Sequence, residues 1–157
     1  MSLSVGQNIL VGKVTKPEIW VDQFFMGEQY APKIAESGKY VLPASHLAWY
    51  ESPLETAERI IKEQTLLPVP KTLKLVGVQS YLNGDKNDTQ NPPHWDICFV
   101  YEAKLPKSAV KKMKTPEWFA EYGFKPRSKL GVDDFARGHG EILEAAGLLG
   151  KKKTPRK

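Results

Sequence analysis

The residues of this 157-residue chain with the clearest chemical potential are aromatic, imidazole and basic side chains. Trp20, Phe24 and Phe25, and then Trp49 with Tyr50, offer flat faces of the kind that stack nucleobases. Core or dimer packing is the alternative for such residues, although Trp49 and Tyr50 stand directly before a helix cap, where partial exposure is expected. His46, His94 and His139 are isolated from one another and make no zinc site by spacing. His139 is expected to pack on a final helix beside Phe135, Ile142 and Leu143. Cys98 lies between Ile97 and Phe99 and reads as a small buried hydrophobe rather than a nucleophile. The run Lys107, Lys111, Lys112, Lys114 reads as a solvated surface, or with Arg127 and Lys129 as the border of a site for anions.

These residues need elements to position them. Residues 7–14 and 73–82 and 95–103 have strand composition, 19–25 is an extended aromatic stretch, and Tyr40–Leu42 is a short strand ending at Pro43. Ser52-Pro53-Leu54-Glu55 is a capping box with proline at the first helical position, so a helix starts there. Leu54, Ala57, Ile60, Ile61 and Gln64 share one arc of that helix, with Glu55, Glu58, Arg59 and Lys62 opposite; Pro68 and Pro70 end it. Between the two long strands lies NGDKNDTQNPPH, a polar loop longer than a hairpin needs and therefore a candidate functional rim. A short helix is expected over Pro116–Tyr122, and a longer one over Asp133–Ala146, stopped at Gly147.

With 41% apolar and 26% charged residues, the chain suits one globular domain over residues 1–150. Strands around a central helix, followed by helices, predict an α/β or α+β layered domain rather than a bundle or sandwich. Of 23 Lys and Arg, five fall in the last seven residues, leaving 18 against all 18 acids in the body. The net charge of +5 therefore belongs to a basic tail, 151–157, expected to be disordered. One cysteine excludes an internal disulfide, no apolar run approaches a membrane span, and a cytoplasmic setting is expected.

The segment YVLPASHLAWYESPLETAERIIKEQTLL resembles the Nudix box, which runs Gly, five residues, Glu, seven residues, Arg-Glu, an aliphatic, any residue, Glu-Glu, any residue, Gly and an aliphatic, and is usually preceded by a strand ending in Leu-Pro-Gly-Gly. Leu42-Pro43 fall on Leu-Pro, Glu51 on the first Glu, Arg59 on the arginine, Ile61 on the aliphatic, Glu63 on the first paired acid and Leu67 on the last aliphatic. Ala44 and Ser45 replace two glycines, Ile60 the Glu after Arg, Gln64 the second paired Glu, and Leu66 the closing Gly.

The resemblance implies a Nudix-like α/β/α sandwich with a central mixed β-sheet. It also implies Mg²⁺ or Mn²⁺ as cofactor and hydrolysis of a nucleoside diphosphate linked to another group. Glu51 and Arg59 are its structural pair. Glu63 and Gln64 occupy its catalytic positions, and Glu63 is either a metal or substrate contact or one more solvated helix acid. Of three carboxylate positions on one helix face, only Glu63 keeps its charge, so turnover is expected to be weak or unusual. Asp85, Asp88, Glu102 or Glu117 would have to rebuild the cluster, with Glu102 the candidate second metal ligand. His46, Trp49, Tyr50, Asp85, Asp88 and His94 are the candidate substrate contacts. The alternatives are a non-catalytic nucleotide- or RNA-binding module, or a structural domain. A nucleotide-derived small molecule is the expected partner, RNA or a second copy of the chain are further candidates, and no membrane is expected.

Overall fold

The computed structural model describes residues 1–14, 20–21, 29–30, 38–84, 86–87, 92–113 and 119–149. Its central sheet runs β5 (Tyr40–Val41), β2 (Asn8–Val14), β1 (Ser2–Val5), β7 (His94–Lys104), β6 (Lys74–Asn83). A further strand, β8 (Phe119–Pro126), lies along the other edge of β2. The β1–β7 pair is parallel and the other pairs are antiparallel, so the sheet is mixed, as expected. Two short strands, β3 (Trp20–Val21) and β4 (Gln29–Tyr30), pair with each other apart from it. The fold is therefore mixed α+β around a central sheet.

Alternation along the strands divides the core into two. Leu3, Leu10, Tyr101, Ala103 and Tyr122 face α1 (Pro53–Ile60), packing with Ala57, Ile60, Ile61 and Leu67. Ile9, Val11 and Val100 point the other way, onto Leu42, Phe135, Ile142 and Leu143, the last two from α3 (His139–Ala145). Because side chains alternate with period two, each strand residue is committed to one of these layers.

Two expected elements change. Phe119–Pro126 is strand rather than the end of a helix over 116–122: Tyr122 and Phe124 alternate into the α1 layer while β8 pairs with β2 along its length. Residues 116–118 lie outside the described residues. The expected helix over 133–146 is divided into a 3₁₀ turn, Val132–Asp134, and α3. Arg137 (φ 58°) and Gly138 (φ 68°) are left-handed and break the helical path between them. Gly140 is required by close approach, since a Cβ there would overlap the Val132 carbonyl. At the far end the expected stop at Gly147 holds: Gly147 and Leu148 amides return to the Glu144 and Leu143 carbonyls in a Schellman arrangement. β1 adds a strand unforeseen in the sequence, and α2 (Lys107–Val110) turns part of the basic run into one helical turn.

Candidate functional site

The capping box forms as read: the Glu55 amide donates to Ser52 Oγ at 3.3 Å, and the Ser52 amide donates to the Glu55 carboxylate at 2.8 Å. This fixes where α1 starts and thus where its later turns point. α1 then widens into a π turn over Ile61–Thr65, where buried Thr65 Oγ1 donates to the Ile61 carbonyl at 2.6 Å. Leu66 closes the turn at φ 55°, so the backbone keeps the left-handed step for which glycine is the usual residue, with leucine bearing the strain.

Glu51 and Arg59 clamp the preceding loop to the helix. Arg59 Nε donates to both Glu51 oxygens (2.8 and 3.1 Å) and Nη2 adds a third bond at 2.9 Å. Thr56 Oγ1 also donates to Glu51, at 2.8 Å. The Arg59 bonds, then the Thr56 bond, hold the Glu51 carboxyl down to about 2. Arg59 Nη2 also donates to the His46 carbonyl at 3.0 Å, so the loop is held at two points. Between them the Glu51 amide donates to the Ala48 carbonyl at 3.2 Å and closes a tight turn. Trp49 and Tyr50 sit at its tip, 89% and 101% exposed, with ring centroids 6.4 Å apart. Tyr50 has φ 66°, a left-handed backbone unusual for a bulky residue.

The carboxylate face is a different matter. Ile60 is 6% exposed and belongs to the α1 core layer. Gln64 is engaged on both sides of its amide, with Nε2 donating to the Ala44 carbonyl at 2.6 Å and Oε1 accepting from the Ala44 amide at 3.1 Å. Glu63 is left as the acid of the three, its side chain 41% exposed and 3.7 Å from Arg59 Nη1.

Glu102 is not brought to Glu63. It shares a face of β7 with Val100, the face covered by α3, whereas Glu63 lies in the π turn that follows α1, in the layer on the other side of the sheet. There Glu102 accepts from Arg127 Nη2 at 2.9 Å. His94 starts β7, exposed, with Nδ1 2.7 Å from the Pro92 carbonyl and Nε2 3.6 Å from Asp96. His46 is exposed on the clamped loop. Asp85, Asp88 and Glu117 lie outside the described residues. Cys98 is partly buried, and desolvation pushes its thiol up, in keeping with an inert packing role.

Sequence reasoning missed a positioning contact made by His139. It begins α3, and its Nδ1 accepts the Leu42 amide proton at 3.0 Å, so the end of β5 that leads into the box is tied to the opposite layer. Desolvation by burial is the main cause that pushes this imidazole down to about 3. A histidine before Gly-Glu in a helical pattern was the available signal, but its partner is 97 residues away.

The NUDIX domain model matches residues 17–146, and the chain belongs to that family. A crystal structure of a mutT/nudix family protein from Listeria innocua is similar at a TM-score of 0.62 and 25% identity, over 94% of this chain and 88% of that one. A Nudix hydrolase from M. smegmatis, RenU, gives 0.47 and 14%, over 93% and 84%. No curated relative matches. The family generally uses divalent metal ions. Hard cations such as Mg²⁺ need several oxygen ligands, and the described residues contain no group of three His, Cys, Asp or Glu able to hold a metal. On the box helix itself, Glu63 is the one carboxylate at the three positions, beside Ile60 and Gln64. No helix among the described residues is long and apolar enough to cross a membrane.

Proposed function

We propose that this protein recognises a nucleoside diphosphate linked to another group, and that metal-dependent hydrolysis of the phosphoanhydride is weak. Family membership supports the ligand class. One observation carries the reading: on the helix face where three carboxylates would gather a cation, Ile60 is buried, Gln64 is closed onto Ala44, and Glu63 stands beside Arg59. Hydrolysis of a diphosphate relies on metal to neutralise the leaving group and activate water, and this face offers one charge for the task.

Recognition asks less. The turn carrying Trp49 and Tyr50 is held by Arg59 at the His46 carbonyl and at Glu51, so the backbone that presents the two exposed rings is tied to the helix before a ligand arrives. Stacking on such faces contributes about 1–3 kcal/mol per base. A turnover role for Glu63 is the second reading, favoured by its exposed carboxylate.

The experiment is ligand-induced thermal stabilisation by ADP-ribose and related nucleoside diphosphate compounds, with and without chelator. A ligand bound by the native state raises its melting temperature. The expected rise survives chelator and Glu63→Ala and is lost in the Trp49→Ala/Tyr50→Ala double variant. No rise with any member of the panel would leave the structural alternative.

A further inference from the structure

Behind the box, on the α3 face of the sheet, lies a cleft of ≈ 410 Å³ lined by Pro70, Lys71, Thr72, Lys74, Glu102 and Lys104. Its layout follows from strand register. Lys74 stands opposite Glu102 across the β6–β7 pair, and Lys104 is two residues further along β7, so all three side chains leave the same face. The segment between the π turn and β6 brings Lys71 to the rim.

The charge here is one-sided. Glu102, the acid in the lining, is already paired with Arg127 at 2.9 Å. None of Lys71, Lys74 and Lys104 has an ion-pair partner among the described residues. Outside the tail the chain carries 18 basic and 18 acidic residues, so three uncompensated ammonium groups around one cleft are a local concentration rather than a share of a basic surface. Two buried polar atoms next to Glu102 are also unsatisfied among the described residues: Oγ of Ser2, which is in register with Glu102 on β1, and Nε of Arg127. Neither residue is among those lining the cleft itself.

We propose that this cleft is a second binding site, separate from the box, for a small multiply charged anion of the diphosphate or polyphosphate class. Lysine binds phosphate as a compact point charge, and three such charges around one cleft complement an anion carrying several. The volume falls within the usual range for small-molecule sites, roughly 300–1,000 Å³. A single-stranded nucleic acid fits less well, because none of the described residues lining the cleft is aromatic and able to stack a base.

The test is calorimetric titration of the full chain with inorganic pyrophosphate and tripolyphosphate at low ionic strength, without divalent metal. Lys74→Glu/Lys104→Glu is expected to weaken binding by at least about tenfold. Lys111→Glu/Lys112→Glu, the same charge change on an exposed turn elsewhere, and Trp49→Ala/Tyr50→Ala are expected to leave it within about twofold. Should the reversal variant fold poorly, Lys74→Gln/Lys104→Gln gives a smaller loss, about threefold. Equal weakening by the Lys111/Lys112 pair would overturn the proposal, as would absence of binding up to roughly 10 mM. So would an RNA oligonucleotide that binds through Lys74 and Lys104 and is not displaced by pyrophosphate.

Discussion

Along one helix and the loop before it, two sets of residues behave differently. Thr56 and Arg59 both donate to Glu51, and Arg59 also to the His46 carbonyl, so that the loop is tied to the helix. Ile60, Glu63 and Gln64, on the next turn, go three ways: into the core, towards Arg59, and onto the Ala44 backbone. The first set needs only each other, so it keeps its geometry whether or not a cation binds. The second would need shared charge to converge, and two of its members are neutral. Architecture and metal chemistry are thus separable within about 25 residues.

Restoring charge should expose that separation most sharply. Ile60→Glu places a carboxylate in a packed apolar layer and is expected to cost about 3 kcal/mol in chemical denaturation, against about 1 kcal/mol for Ile60→Val. A stable Ile60→Glu that binds Mn²⁺ would mean that the face is still poised for metal.

Acid should act on the architectural contacts, both the Glu51 set and the bond from the Leu42 amide to His139. The His139 imidazole, held down to about 3, stays neutral in the folded state while its unfolded counterpart titrates near 6.5. Its contribution is complete above about pH 6.5 and is lost as pH falls towards 3, because the unfolded chain takes up the proton first. Glu51, held down to about 2, adds a loss that begins below about pH 4.5. Denaturation midpoints should therefore fall between about pH 6.5 and 4.5 in the native chain. His139→Gln should flatten that window, and an unchanged slope would refute the assignment.

Smaller effects follow from the two neutral replacements. Gln64→Glu trades the Nε2 donor for an oxygen facing the Ala44 carbonyl, with an expected loss of about 1 kcal/mol in equilibrium unfolding. A gain in stability would show that Gln64 is not held as described. Leu66→Gly relieves the left-handed strain but adds backbone freedom to the unfolded chain, for an expected net gain of about 0.5 kcal/mol in the same measurement.

Local chemistry made much of this legible in the sequence. The capping box, β2, β5, β6 and β7 follow from residue type and period over short windows, and the Glu51–Arg59 pair follows from the box spacing. What failed depends on partners distant in the chain. β8 is a strand because β2 offers it an edge, and β1 has serines on its inner face that mask its alternation. Glu102 has the right chemistry to join Glu63, but only topology assigns α1 to one face of β7 and Glu102 to the other. Gln64 reads as a weakened ligand until its amide is seen closing on a backbone 20 residues earlier.

The central claim, recognition with little metal-dependent turnover, is tested most directly by nucleoside monophosphate release from ADP-ribose in Mn²⁺, comparing the native chain with Glu63→Ala. The account predicts a rate near background in both, with ligand still bound. Rapid turnover that vanishes in chelator and in Glu63→Ala would contradict it and make Glu63 the centre of a rebuilt metal site.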